Sequence, residues 1–273
     1  MSSFGWTPQY PIPFGNSPGF TYSDLLETFG ARVTFGGIEF EAEYQRPKDL
    51  DVTYTLRSLS GWWEPAPEST QTMDHPSGDG LIELTPRLAS RTITLEGLII
   101  AGTPKAPLLI DAQNALSRIR TGTISVDERK SGLRREADVR RVDLQFARPN
   151  VNVAQYSLTL RASDPLRYSG SQVLTNGSNA LVSRGDVDAF PVIDLRGPHG
   201  ALTISHPGGS FSFPALSGGS RSIDCRNGDV WNGNVRVFAG SGAWPVVRSG
   251  GSNWTVSGLG SGSATVRRFE AWS

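Results

Sequence analysis

Apolar and polar side chains alternate with period two along several stretches of this chain, and that pattern predicts strands. The clearest run is Gln155–Ala162. Tyr156, Leu158, Leu160 and Ala162 fall on one face, and Ser157, Thr159 and Arg161 on the other. The run must stop at Asp164–Pro165, because proline has no N–H to give a ladder and biases the residue before it away from helix. Val33–Tyr44 reads the same way: Ile38, Phe40, Ala42 and Tyr44 oppose Glu39, Glu41 and Glu43, and Gly36–Gly37 makes a tight turn before them. Val52–Leu59 and Arg91–Ile100 are further strands. Thr123–Arg148 predicts a long hairpin, entered by Ile124 and Val126 and left by Val142, Leu144 and Phe146, with a densely charged tip at Asp127–Asp138.

One stretch changes period. Leu109, Ala112, Leu116 and Ile119 form an apolar stripe at helical spacing. Thr103 with Pro104, or a start at Pro107, would open this helix. Asp111 lies early and Arg118 and Arg120 late, as the macrodipole prefers, and Gly122 is a natural stop. Beyond Ser169 lysine vanishes and glycine and serine become dense. Short strands are expected there at Val192–Leu195, Ala201–Ser205, Phe211–Phe213, Ser220–Cys225, Val235–Phe238, Trp254–Ser257 and Ala264–Phe269. Strands so short and evenly spaced predict a sandwich or jelly roll. The chain thus reads as mainly β in two units, residues 1–170 and 171–273. The first is a sandwich or barrel-like body with one α-helix and a long β-hairpin. Met1–Thr21, rich in Gly, Pro and aromatics, reads as an extended arm.

Composition narrows the function classes. The 273 residues include 31 Gly and 18 Pro, which suits a turn-rich β protein. Formal net charge is zero, so the basic excess of a general nucleic-acid or anionic-membrane binder is missing. Cys225 is the single cysteine, which excludes an internal disulfide and a thiolate metal cage; it reads as a small core residue. No apolar run approaches the ~18–20 residues needed to span a bilayer. Met1–Phe14 lacks the basic and apolar regions of a signal peptide, so folding in a cytoplasm is expected.

Signatures of chemistry are sparse. GxSxG, GxxxxGK[ST], HExxH and a complete GxGxxG are all missing, and Gly258–Gly262 reads as a turn rather than a phosphate cradle. His75, His199 and His206 are turn histidines; the last two could approach across a hairpin, with Asp194 as a third ligand only in sequence proximity. Glu39, Glu41 and Glu43 could in principle offer the carboxylate pair of a glycan hydrolase, against the plainer reading of an exposed strand face. Asn176-Gly-Ser and Asn253-Trp-Thr match a glycosylation triplet without a secretory context. Of seven tryptophans, Trp254 reads as core, Trp62 and Trp63 as a subunit contact, and Trp231 and Trp244 as exposed aromatics able to stack on a sugar.

The order and spacing of several runs resemble one family. RVDLQFARPNVNVAQYSLTLRASDPLRY is followed by Asn176–Gly177, Phe190-Pro-Val-Ile193, Arg221-Ser-Ile-Asp-Cys225 and a closing strand with Arg267, Arg268 and Trp272. Over most of Val33–Ser273 this sequence resembles the distal tail proteins of bacteriophages with long, non-contractile tails. The resemblance implies a structural virion protein, not an enzyme, with no cofactor or metal. It implies a belt-like first domain that closes a homo-hexameric ring between the tail tube protein above and a hub or adhesion protein below. It also implies a galectin-like second domain that points outward. Contacts between neighbours would come from the helix (Leu116, Arg118, Arg120), from the charged hairpin (Asp127, Glu128, Arg129, Arg134, Arg135) and from Trp62 and Trp63. The alternative is a carbohydrate-binding module for host-wall recognition through Trp231 and Trp244, since fold does not fix function.

Overall fold

The computed structural model describes residues 31–41, 52–70, 72–74, 79, 81–83, 87–102, 106–128, 132–237 and 240–273. The expected arm at Met1–Thr21, and Ala42, Glu43, Tyr44, His75, Thr103, Pro104 and Arg129, lie outside them.

Strands β1 (Ala31–Phe35) and β2 (Ile38–Glu41) form the hairpin expected around Gly36–Gly37, and β3 (Val52–Ser60) follows. Four short strands decorate the next connection: β4 (Glu68–Ser69) pairs with β7 (Arg87–Leu88), and β5 (Thr72–Asp74) with β6 (Leu81–Glu83). The chain continues through β8 (Arg91–Ala101), helix α1 (Ala106–Arg118), β9 (Thr121–Glu128), β10 (Leu133–Asn150) and β11 (Val153–Ala162). The order β11-β8-β3-β2-β1-β9-β10, with β10 also paired to β11, closes a seven-stranded barrel. Closure removes most of the open sheet edge.

Inward-pointing residues fill the barrel with the period the sequence shows. Ile93, Leu95 and Ile99 on β8, and Ala154, Tyr156, Leu158, Leu160 and Ala162 on β11, are fully or almost fully buried. Gly97 is small for a reason. The Tyr156 hydroxyl donates to the Thr55 carbonyl across this point (2.8 Å), and a Cβ on Gly97 would lie 1.8 Å from that carbonyl oxygen. Helix α1 packs on β8 and β3 through Leu109, Ala112 and Leu116. Burying each leucine there contributes roughly 1.5–3 kcal/mol.

The helix stops at Arg118, and Gly122, expected as its stop, belongs to β9. What caps it comes from β10: the Arg141 guanidinium donates to the carbonyls of Leu116 (3.3 Å) and Ser117 (2.7 Å). A cation at the C-terminus satisfies orphan carbonyls and favours the macrodipole. The expected charged tip is also much shorter than predicted. Thr121–Arg140 forms a regular ladder in which Glu128 opposes Leu133 and Thr123 opposes Asp138, so most of the charges sit on strands within the barrel wall.

The rest of the chain is two sheets. Strands β12 (Arg167–Leu174), β13 (Gly177–Leu181), β14 (Val192–Arg196), β15 (Leu202–His206), β16 (Gly209–Phe213) and β17 (Ser220–Asp224) come first. Then come β18 (Asp229–Asn232), β19 (Val235–Val237), β20 (Ser241–Gly242), β21 (Ser252–Ser257) and β22 (Ser263–Trp272). One sheet runs β12-β22-β14-β17-β18-β19 and the other β13-β21-β15-β16-β20. They share a second apolar core, with Ile193, Ile223 and Val266 facing Ile204, Phe211, Trp254 and Val256. A single Cα pairing, Glu136 with Tyr168, joins β10 to β12 and makes the barrel and the first sheet one continuous thirteen-stranded ribbon.

Candidate functional site

The most elaborate polar chemistry in the described residues lies where the barrel meets the sandwich. It is built by the run Asp164-Pro-Leu-Arg-Tyr168 from the first body and by the closing strand β22 from the second. Asp164 shapes its own turn, accepting from the Leu166 N–H (3.1 Å) and the Tyr168 hydroxyl (2.6 Å). The carbonyl of Pro165 accepts from Arg91 Nε (2.9 Å), and Arg91 also donates to the carbonyls of Gly61 (3.0 Å) and Glu64 (2.6 Å). Arg167 donates to the Trp62 carbonyl (2.6 Å) and to the main-chain oxygen of Ser273 (2.5 Å). Two buried guanidinium groups thereby tie the loop after β3 to the start of β12 and the end of β22, which lie side by side in the sandwich's first sheet. Burial, and then the charges of Arg91 and Arg135 beside it, push the Arg167 pKa down to about 10. Arg135 lies over the Trp272 ring, 4.7 Å from its centroid.

A second arginine closes the other side of this joint. Ser169 opposes Glu270 but Ser171 opposes Arg267, so a bulge sets Gly170 against both Arg268 and Phe269. Arg268 has φ = 57°, a left-handed conformation uncommon outside glycine. Gly170 has φ = 86°, and a Cβ there would come within 2.8 Å of the Phe269 ring. The bulge aims Arg268 at β10, where it donates to Glu136 (2.6 Å) and to both carboxylate oxygens of Asp138 (2.5 and 2.9 Å). Asp138 also accepts from the Thr123 hydroxyl (2.7 Å). Burial alone would raise the Asp138 pKa, but the hydrogen bonds and charge of Arg268 outweigh it and hold the group below its usual range. Beside this network Arg226 pairs with Asp164 and donates to the Tyr168 hydroxyl (2.9 Å).

The sequence-derived candidates fall into three groups. Leu116 and Trp62 are fully buried, so neither offers surface to a neighbour: the apolar stripe of α1 and the first of the paired tryptophans serve the barrel core. Trp63 packs half-buried against the same core. Among the hairpin charges, Arg135 pairs with Glu128 (3.3 Å) and Arg134 donates to the Ser125 hydroxyl (2.9 Å), while Asp127 stands opposite both Arg32 and Arg134. Much of the charge run is thus spent within the chain. Arg118 and Arg120 are exposed at the helix end. In the sandwich, Trp231 is 36% exposed, whereas Trp244 is half-buried with its ring 4.8 Å from that of Phe211.

The remaining candidates are local structure. Arg32 pairs with Glu39 (2.5 Å) and Glu41 (3.1 Å) at the surface. His199 and His206 are both buried and do not meet. His199 Nδ1 lies against the Gly200 carbonyl (2.7 Å), and His206 Nε2 against the Ala243 carbonyl (3.1 Å). No group of metal-ligating side chains occurs among the described residues. Cys225 is buried, which pushes its thiol well up. The joint residues Arg91, Arg167 and Arg268 were not singled out as a site by periodicity or spacing. The Asp164–Tyr168 run and the Arg267–Arg268 pair in the family resemblance contain Arg167 and Arg268; Arg91 carries no such signal in the sequence.

Comparison with known proteins fits this geometry. No model of a protein family matches the sequence, and no curated protein matches it. Among solved structures, the chain is similar to the SPP1 Dit (gp 19.1) protein, described as a paradigm of the hub adsorption apparatus in phages that infect Gram-positive bacteria. The identity is 10%, with 89% of this chain and 99% of that chain covered, and the TM-score is 0.55. The chain has that fold: mainly β, one helix, a closed seven-stranded barrel and additional sheets. A chain of the phage P2 baseplate in its activated conformation with Ca is also similar, at 8% identity over 87% of this chain and 97% of that one. Its TM-score is 0.49, too low to add to the argument.

Proposed function

We propose that this chain is a structural protein of a bacteriophage tail tip, a distal tail protein whose first body, residues 1–170, assembles into a six-fold ring. The ring would join the tail tube to the baseplate or host-adhesion device, and the second body, residues 171–273, would be a galectin-like module facing outward. The observation that carries this reading is the end-to-end likeness in fold to a phage hub protein, together with the agreement between that fold and the motif order along the sequence. The arrangement suits a static role. Most polar groups at the joint are spent on one another and on backbone carbonyls, with Arg91 Nη2 and Arg167 Nε left without a hydrogen-bond partner, and this arrangement fixes two bodies rather than presenting a reactive pair.

A ring needs a heterologous contact that closes. Among the described residues the second half of β10 is an open strand flank that also carries exposed apolar side chains. From Val142 to Asn150, β10 has a strand partner only in β11, because its ladder with β9 ends at Arg140. Val142 is 59% exposed and Val151 73%. Helix α1 reaches this flank through the Arg148–Gln113 contact and presents exposed Ile110, Arg118 and Arg120 beside it. An unpaired strand edge next to exposed apolar side chains is a template for a second chain. We therefore assign the neighbour contact to this flank and to the helix end, with Leu116 and Trp62 removed from it. Native mass spectrometry and negative-stain imaging test the reading: a six-fold annulus that recruits tail tube protein is expected. A protein that stays monomeric at high concentration and ignores tail tube protein overturns it.

A further inference from the structure

The outer face of the sandwich's six-stranded sheet carries a trough. Two cavities, of about 350 and 280 Å3, share Asp194 and Arg196 and run from Arg267 and Thr265 on β22 to Trp231 on β18. A third, of about 340 Å3, adjoins them through Val192, two residues along β14 on the same face, and reaches Asp138 and Arg268 at the joint. Register explains the row. Thr265 opposes Asp194, Asp194 opposes Ser222, and Ser222 opposes Trp231, so four neighbouring strands line up one side chain each. At strand spacings of about 4.8 Å the row extends for roughly 14 Å.

We propose that this trough is a binding site for a hydroxyl-rich saccharide chain, with Trp231 as the stacking platform and Asp194, Arg196, Ser222, Thr265 and Arg267 as its polar partners. The proposal rests on the sandwich alone and not on ring formation. Three observations select the occupant. The strands that line the trough, β22, β14 and β17, are interior, with both backbone edges already paired. An extended peptide could therefore not add a strand and would lose the main-chain bonds that normally hold it. The charges nearly balance in place: Asp138, Asp164, Asp194 and Asp224 stand against Arg196, Arg221, Arg226, Arg267 and Arg268 along the three cavities. Arg267 binds Asp194 through Nε (2.5 Å) and Nη2 (3.2 Å), Arg226 pairs with Asp164 and Arg268 with Asp138, while Arg221 donates to the Ser220 carbonyl (2.9 Å) and Arg196 lies two residues from Asp194 on the same strand. A polyanion such as nucleic acid needs a basic stripe. Finally, the row mixes hydroxyls, a carboxylate and guanidinium N–H groups, so donors and acceptors alternate beside one exposed indole. That combination matches the edge hydroxyls and the apolar face of a sugar ring. Trp244, packed on Phe211, takes no part.

The test uses the whole chain and defined probes: oligomers of glucose, galactose and N-acetylglucosamine, titrated by calorimetry and by tryptophan fluorescence. At least one series is expected to bind, with affinity rising with chain length. Trp231→Ala should weaken that binding on the order of tenfold, the loss for one aromatic contact. Arg196→Ala and Ser222→Ala should weaken it less, while Trp244→Phe should leave it unchanged. No binding of any series by the folded wild type at millimolar concentration overturns the proposal, as does binding that Trp231→Ala does not alter. A change of oligomeric state in Trp231→Ala, read by native mass spectrometry, would also overturn it by making this face a contact between copies. Because oligomeric state is read separately, failure of the trough leaves the ring proposal standing, and the reverse.

Discussion

The barrel and the sandwich are built from the same material and solve the same problem in opposite ways. The barrel closes its sheet on itself, so its specificity lies inside, in contacts such as Tyr156 to Thr55 across Gly97. An open flank with exposed apolar side chains lies along the second half of β10. The sandwich leaves its sheets open and buries one face of each, so its outer faces stay polar and available. One body is therefore suited to being held at an edge and the other to offering a surface. What keeps the two from behaving as beads on a string is the arginine-rich joint, which binds backbone carbonyls on one side and carboxylates on the other. A short linker could connect two bodies, but only directional, buried contacts fix their angle.

The sharpest way to break this contrast is to damage one core and watch the other. Gly97→Ala forces a Cβ against the Thr55 carbonyl in the barrel wall and should cost about 4 kcal/mol, at the upper end for single substitutions. Urea unfolding followed by circular dichroism should then show the barrel melting early while the sandwich transition stays near its wild-type midpoint. Trp254→Ala is the converse: it empties a fully buried site in the sandwich and should cost about 3–5 kcal/mol there. If either variant shifts both transitions equally, the two cores are one cooperative unit and the contrast fails. Arg167→Ala comes next. It leaves the Trp62 carbonyl and the Ser273 oxygen without their donor, a loss of about 1–3 kcal/mol, and should separate the two transitions further.

Much of this architecture could be read from the sequence, and what escaped has physical reasons. Period-two alternation located β3, β8, β11 and most of the sandwich strands within a residue or two, because each has one buried face. Strands such as β13 and β18, with Gly177, Ser178, Asp229 and Asn232 in them, carry too little alternation to show. Gly122 misled the helix boundary because the real stop is Arg141, distant in sequence. The charge run at Asp127–Asp138 reads as a hairpin tip reaching a neighbour because a sequence cannot show that Arg268, about half the chain away, faces Glu136 and Asp138. Trp62 and Trp63 looked like a surface pair, yet the loop turns at Gly61 and sends Trp62 into the core. In sequence Trp231 is only an aromatic near a turn; its place in a polar row depends on the register of β14 with β17 and β22, strands far apart in the chain.

A smaller effect separates the two halves of the joint by pH. Asp138 has its folded pKa held below the unfolded value. Such a group contributes stability at any pH above the unfolded carboxylate range, about 4, and that contribution is lost as pH falls through the folded value. Because Asp138 is more than half exposed, solvent screens the pair, and Asp138→Asn should cost about 1 kcal/mol or less at neutral pH. The variant and the wild type should converge in stability in acid, followed by thermal melts from neutral pH down to about 3. The Arg167 side of the joint should not respond in that window, since its ionisation lies near 10. Equal sensitivity of the two sides to acid would remove the distinction between a carboxylate-clasped and a carbonyl-clasped arginine.

The smallest expected change in stability is also the most direct probe of assembly. Val142 is exposed at a bulge in β10, where Arg141 and Asp143 oppose consecutive residues of β11, so its side chain supports little of the fold. Val142→Lys should therefore shift the unfolding midpoint by no more than about 0.5 kcal/mol. A lysine on an open strand flank nevertheless opposes strand addition by another chain, because its charge would have to be desolvated against the incoming backbone. In the proposed ring this substitution should dissociate the oligomer at concentrations where the wild type is assembled, as measured by native mass spectrometry. The same change at Val173, 63% exposed on the sandwich's outer face, should leave the ring intact. If Val142→Lys assembles normally and Val173→Lys does not, the division of labour is inverted: the sandwich would be the part that is clamped, and the open flank of β10 would be an ordinary edge.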